Sequence, residues 1–504
     1  MLSTFPYSTA AAAQSETIDG FISAAIYSHA HWGILVSDVA SGQALYEHNS
    51  DKLFAPASTT KLFSGAATLV ALGPGFRFVT PIYRARSTTP KHADVLVLRA
   101  MGDPNLSGRI DANGHLAYTP EDHIYANFSN GATLTDTDPL SGLDDLATQI
   151  ANTGVHDVAD VLIDDRLFEP TEGSGSGPSQ ITPIVINDNV FDVLTTPGAQ
   201  IGAPAKVETR PKTSYAQWDI AVNTVASNDH TNVRVEEISP GRYTVRGQIA
   251  LGRKPLLRIG EVSNPAEFAR TLMMERLLAH GVLVDASRFA PQDRSQLPAM
   301  DEYAGMKSIA QHTSPPFSEA LKVIFKTSHN LGAGMLPLII AAQHGERSHT
   351  AGMLREGELL KSLGVPIDAI SFGGGVGGAR SDFITPRAAI TLLSAMSKRS
   401  DAAVYRDALP ILGVDGTLFN AVPENSPARG KAVGKTGTLV WDNLLTGNAL
   451  LLSKALVGYM SGASGRQLII GLFVNDVSIG PLPEDVEAQD RALGHLCEII
   501  YRTF

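Results

Sequence analysis

Between about Phe76 and Tyr303 the sequence changes character, and that change limits what the chain can fold into. On either side, strand-like runs alternate with long helical patterns. Within it there are short β-like pieces (VLVLRAMGD, ADVLIDDRLF, WDIAVNTVA, YTVRGQIAL), clusters of turn residues and a Gly/Ser tract, EGSGSGPS, whose composition reads as a flexible loop. At 504 residues the chain exceeds what one hydrophobic core usually supports. The expected division is therefore a domain built from residues 1–74 and 305–504, interrupted by a β-rich domain from 75–103 and 172–304, with a further small domain at 104–171.

The outer segments predict an α+β fold, with helices flanking a mainly antiparallel sheet. WGILVSDV and QALYEH, separated by Ala40-Ser41-Gly42, read as a hairpin. The loop DKLFAPA then leads into a helix that begins at Ser58 and stops at Gly73-Pro74-Gly75. Helical patterns return at Pro265 to His280, Pro316 to Gln343 and Pro386 to Lys398, with Thr385 as N-cap, and close the chain at Glu484 to Tyr501. The apolar runs NALLL, ALVGYM and QLIIGLFVN supply the remaining strands.

Composition excludes several classes of function. With 40 Lys plus Arg against 51 Asp plus Glu, the net charge is -11, and no basic run offers a nucleic-acid surface. No apolar stretch reaches the roughly 18 to 20 residues of a membrane span, so no transmembrane segment is expected and only peripheral membrane contact is left open. The lone Cys497 permits no internal disulfide and reads as a small buried hydrophobe. The start, MLSTFPYSTAAAAQSE, lacks the charged and apolar regions of a secretory signal, although its AAAAQS stretch resembles the end of one.

Chemistry is carried by three short constellations. In Ser58-Thr59-Thr60-Lys61, a helix places the serine and lysine on one face, roughly 5 to 6 Å apart at Cβ. A serine needs an adjacent base, and a desolvated lysine beside another cation can be that base. Ser328-His329-Asn330 sets a hydroxyl and an amide two positions apart, able to relay a proton and orient Lys61; by itself it equally suits a helix cap. Lys435-Thr436-Gly437-Thr438 is a strand-like segment on which a Lys and a hydroxyl can receive a carboxylate while the backbone pairs with a peptide. Each motif is weak alone. Their order, S-x-x-K then S-x-N then K-T-G, matches that of penicillin-recognising serine enzymes.

The sequence resembles the class C low-molecular-mass penicillin-binding proteins, the D-Ala-D-Ala carboxypeptidase and endopeptidase family S13. The likeness includes LFAPASTTKLF, GDPNLSG, VADVLIDDRLF, INDNVFDV, ITPRAAITLL, LGVDGTL and GKTGTL, and the separation between Ser58 and Ser328 fits that family's large insertion. It implies a β-lactamase-like transpeptidase fold with two inserted β-rich domains. It also implies peptidoglycan stem peptides and β-lactams as ligands, no cofactor or metal, and a periplasmic or otherwise extracytoplasmic location. By the same resemblance Ser58 is the acylated nucleophile and Lys61 its base. Ser328 and Asn330 relay and orient, Lys435 and Thr436 read the carboxylate, and the N–H groups of Ser58 and Thr438 form the oxyanion hole. A β-lactamase, an esterase or a weakly catalytic binding protein are the alternatives on this scaffold. Two segments depart from the family pattern. Gly334 stands where a Glu is usual, and FGGGVGG at Phe372 to Gly378 replaces D-G-S-G-L-S, which bears on substrate preference more than on acylation.

Two other patterns point elsewhere. Gly373, Gly375 and Gly378 fit G-x-G-x-x-G, a dinucleotide fingerprint, but without the βαβ setting it requires. His344, Glu346 and His349, or His29 and His31, lack metal-ligand spacing. Nothing in the sequence sets an oligomeric state.

Overall fold

The computed structural model of the protein describes residues 16–86, 94–106 and 108–504. The AAAAQS stretch lies outside these residues. Five strands from the two ends of the chain form one sheet: β1 (His31–Asp38), β2 (Ala44–His48), β3 (Ala432–Asn443), β4 (Asn448–Ser461) and β5 (Gln467–Ile479), in the order β3-β4-β5-β1-β2. Every neighbouring pair is antiparallel.

Both faces of this sheet are covered, so its central strands read as nearly continuous apolar runs. Alternation still sorts their side chains between two cores. Ala455, Val457, Tyr459, Ile469 and Phe473 face α1 (Lys61–Leu72), α2 (Phe317–Lys326), α3 (Asn330–Gln343), α4 (His349–Ser362) and α5 (Pro386–Ser397). Leu456, Met460, Leu468, Ile470 and Leu472 face α6 (Pro483–Thr503), where Cys497 is buried and its thiol is pushed up to about 12 by that burial. Thr385 caps α5 as expected, its hydroxyl accepting from Ala388 N at 3.1 Å.

The helical pattern from Pro316 to Gln343 resolves into two helices. The break falls at Thr327 to His329, where Ser328 has φ +59°. A non-glycine residue in the left-handed region cannot continue a helix, so the chain turns there and α3 starts afresh at Asn330.

Between Gly75 and Ala304 the chain builds two three-stranded sheets. One is Lys206–Arg210, Val190–Thr196 and Leu256–Glu261; the other is Gln217–Val225, Arg242–Ala250 and Asn232–Ser239. A four-stranded sheet joins Ser308–Thr313, Val79–Arg86, Asp94–Arg99 and Asp160–Asp164, and so draws strands from all three spans into which the chain was expected to divide. The Gly/Ser tract connects a short hairpin, Thr171–Glu172 with Gln180–Ile181. Its Ser176 is buried, which composition did not foretell because small residues also suit close packing.

Candidate active site

Ser58 lies in a 3-10 turn, Ala57–Thr60, that runs directly into α1 at Lys61. A 3-10 turn nearly eclipses residues three apart, tighter than the α-helical offset anticipated from the sequence. Lys61 Nζ sits 2.7 Å from Ser58 Oγ. The turn is strained, with Ala57 at φ +46°, and two glycines hold it. At Gly377 a Cβ would meet Ala57 O at 1.8 Å, and at Gly437 it would meet Pro56 O at 2.4 Å. Side chains at either position would push the turn away from the loop or the strand against which it rests. Asn475 accepts from Ala55 N at 2.8 Å and tethers the approach to the turn.

The other two motifs converge on this turn from distant parts of the chain. Lys61 Nζ also donates to Asn330 Oδ1 at 2.7 Å and to the carbonyl of Val376 at 3.2 Å. Lys435 Nζ donates to Ser328 Oγ at 2.9 Å and to its neighbour's carbonyl, Thr436 O, at 2.8 Å. The hydroxyls of Thr436 and Thr417 are 2.6 Å apart. Thr438 is exposed on β3, and its hydroxyl accepts from Lys454 Nζ at 2.7 Å.

β3 is an edge strand, which leaves one row of its backbone groups unpaired by the sheet. Gly434 N already points outward, donating to Pro410 O at 2.9 Å. In an antiparallel strand the N–H groups alternate in direction, so those of Thr436 and Thr438 lie on the same open edge. That edge runs beside the Ser58 turn, where Gly437 approaches Pro56.

Electrostatics lower the proton affinity of both amines. Burial, with the Lys435 charge next to it, holds the Lys61 amine well below the usual lysine range. Burial and Lys454 push Lys435 down to about 7. Behind Lys61, burial raises the Asp382 carboxyl, which accepts from Gly373 N at 2.7 Å and Ala379 N at 2.8 Å. These two bonds staple the glycine segment so that its Val376 carbonyl reaches Lys61. Ser64 donates to Glu356 at 3.0 Å, and burial pushes that carboxyl up to about 7.

The glycine segment therefore serves this cleft rather than a dinucleotide. Gly375 packs under Ala333 O, and the next helix starts only at Pro386, so no helix N-terminus meets the segment. Of the histidines considered for a metal, His349 lies by Gly374, while Glu346 is paired with Arg355 at 2.9 Å. At Gly334 a Cβ would meet Ile181 Cδ1 at 2.4 Å, so the hairpin that carries Ser176 fills the space a glutamate side chain would need.

Sequence reasoning missed Tyr125 and Ser176. Tyr125 donates its hydroxyl to Ser328 O at 2.7 Å, and Ser176 Oγ accepts from Asn330 Nδ2 at 2.9 Å. Both come from the region between the motifs, and no periodicity or spacing marks them.

The arrangement can therefore present an activated hydroxyl beside an open strand edge. The model of the D-Ala-D-Ala carboxypeptidase 3 (S13) family matches residues 14–493. The chain belongs to that family. This S13 chain is 28% identical over 497 residues to the D-alanyl-D-alanine carboxypeptidase of Actinomadura sp. (strain R39), covering 94% of this chain and 82% of the relative. Among solved structures, penicillin binding protein 4 of Haemophilus influenzae matches with a TM-score of 0.70 at 20% identity, covering 94% of this chain and 97% of that one. The same protein complexed with a β-lactam gives 0.68 at 21%, covering 93% and 96%. At these identities the solved structures establish the fold, the penicillin-binding type with additional domains. Family membership makes the chain a serine-type D-Ala-D-Ala carboxypeptidase and hence a hydrolase. Among the described residues no helix is long and apolar enough to cross a membrane.

Proposed function

We propose that this S13 enzyme acts on peptidoglycan stem peptides as a D-alanyl-D-alanine carboxypeptidase, a DD-endopeptidase or both, through an acyl-enzyme on Ser58, and that penicillin traps the same serine. The supporting observation is Lys61, fully buried yet bonded at once to Ser58 Oγ and Asn330 Oδ1. In this reading neutral Lys61 takes the Ser58 proton as Oγ attacks the carbonyl carbon of the penultimate D-Ala. The N–H groups of Ser58 and Thr438 hold the oxyanion. Ser328 relays the proton to the departing amine as the C–N bond breaks, Asn330 orients Lys61 and the substrate amide, and water then hydrolyses the ester. Lys435 and Thr436 hold the terminal carboxylate. An extracytoplasmic setting follows from where such substrates lie.

Mass spectrometry of the intact protein after benzylpenicillin treatment is expected to show one covalent adduct, mapped to the peptide containing Ser58. An adduct elsewhere, or none on folded protein, overturns the assignment.

The pH dependence follows from the two amines, which titrate as a coupled pair. Lys435 attracts a carboxylate only when charged, so kcat/KM is expected to fall as pH rises through about 7. Lys61 must be neutral, so kcat/KM falls again on the acid side. Lys435→Arg, whose guanidinium stays charged, should lose the alkaline limb. A profile flat between about pH 6 and pH 9 would contradict the Lys435 role.

A further inference from the structure

All three residues of Ser328-His329-Asn330 are held by the region inserted between the motifs. Tyr125 OH donates to Ser328 O at 2.7 Å, and Ser176 Oγ accepts from Asn330 Nδ2 at 2.9 Å. The third contact is His329. Its Nδ1 accepts from Gly332 N at 3.0 Å and so caps α3, which leaves the ring hydrogen on Nε2. Nε2 lies 3.3 Å from Asp188 Oδ2, in close contact but without the alignment of a hydrogen bond.

Asp188 is itself fixed. It accepts from Arg109 at 2.7 Å and lies 2.7 Å from His123 Nε2. Arg109 also grips Asp122 with two bonds of 2.7 and 2.9 Å, while His123 Nδ1 lies 2.6 Å from Asp192, which Arg210 meets at 2.9 Å. Against the pull of burial, Asp192 and Asp188 push the His123 imidazole up to about 10. Asp122, Asp188 and Asp192 are thus balanced by Arg109, His123 and Arg210. Donors of Asp122, Asp188 and His329 lie within 4.8 Å of one another, but the carboxylates are already engaged by these cations, so the cluster is an ion-pair network rather than a metal cradle.

Backbone geometry shows what the network holds. Asn187, Asp188 and Asn189 are three successive non-glycine residues at φ +49°, +53° and +54°, and Ser328, next to His329, is at +59°. Such conformations persist only where surrounding contacts over-determine them. Released from those contacts, Ser328 would relax and carry its hydroxyl away from Lys435, and Asn330 from Lys61.

We propose that the inserted region clamps the second motif, with Tyr125, Asp188 and Ser176 as positioning residues that set the acylation rate by holding Ser328 and Asn330 in register without touching the reacting atoms. The clamp's effect on rate rests on the reading of Ser58 as nucleophile; its effect on geometry does not. Tyr125→Phe removes one hydroxyl and is the gentlest probe, and Asp188→Asn is the stronger one.

The test combines two readouts. In Tyr125→Phe, kcat on a D-Ala-D-Ala tripeptide is expected to drop roughly tenfold to a hundredfold with KM within about twofold, the size a small misplacement of reacting groups produces. In a Ser328→Ala background the same substitution should cost nothing further, because the residue through which it acts has lost its hydroxyl. Amide hydrogen exchange over residues 326–332 should quicken in both Tyr125→Phe and Asp188→Asn, while α1 stays protected. Unchanged kcat, or a full additional loss in the Ser328→Ala background, overturns the clamp. Faster exchange without any wild-type acylation of Ser58 would instead refute the nucleophile assignment and leave the geometric clamp standing.

Discussion

Ser58→Ala is expected to abolish covalent labelling by a fluorescent penicillin and to lower kcat on a D-Ala-D-Ala tripeptide by about four orders of magnitude or more. The Ser58 side chain is half-buried, its oxygen lies on the Lys61 amine, and its turn packs against β3 at Gly437. Removing it deletes the bond-forming atom while leaving the groups that bind substrate. KM, or the affinity for an uncleaved peptide, should therefore change little, and the melting temperature should stay near that of the wild type because no core contact is lost. Retained turnover with an intact fold would end the acyl-enzyme account.

Lys61→Ala is expected to be nearly as damaging, and the double variant no worse than Ser58→Ala alone, because members of one catalytic unit fail together. A lysine ordinarily protonated at neutral pH cannot act as a base. Here burial, with the Lys435 charge beside it, holds the amine well below the usual lysine range and so favours the neutral form. Loss of Lys61 also strips Asn330 Oδ1 and Val376 O of a donor, so the second motif loses its link to the nucleophile. Stopped-flow acylation by a chromogenic β-lactam measures the defect directly. An acylation rate within about tenfold of the wild type would show that another group removes the Ser58 proton.

Much of this was legible residue by residue. The pairing of Ser58 with Lys61 was legible because residues three apart in a helical turn share a face. Thr385 before Pro386 reads as a cap because the hydroxyl and the orphan N–H groups are neighbours in the chain. The Ser328-His329-Asn330 triplet by itself suggested a cap before a helix, and His329 Nδ1 does cap α3, while Ser328 and Asn330, on either side, reach the two lysines. The strands were legible because burial on both faces leaves long apolar runs.

What the sequence could not specify depends on separation along the chain. The break at Ser328 was hidden inside an apolar helical pattern, because a left-handed residue is imposed by its contacts rather than by its type. Ser176 sits in a tract whose composition suits a loose loop, yet it is packed against Asn330. Asp188 gains its meaning from Arg109 and His123, both about 65 or more positions away.

The nearness of the serine and lysine proposed to begin the chemistry was thus legible locally, since a helical turn sets residues three apart on one face. Whether that lysine is neutral was decided by the tertiary structure, because a pKa answers to burial and to neighbouring charges, and Lys435, Asn330 and the inserted clamp reach Lys61 only once the chain has folded.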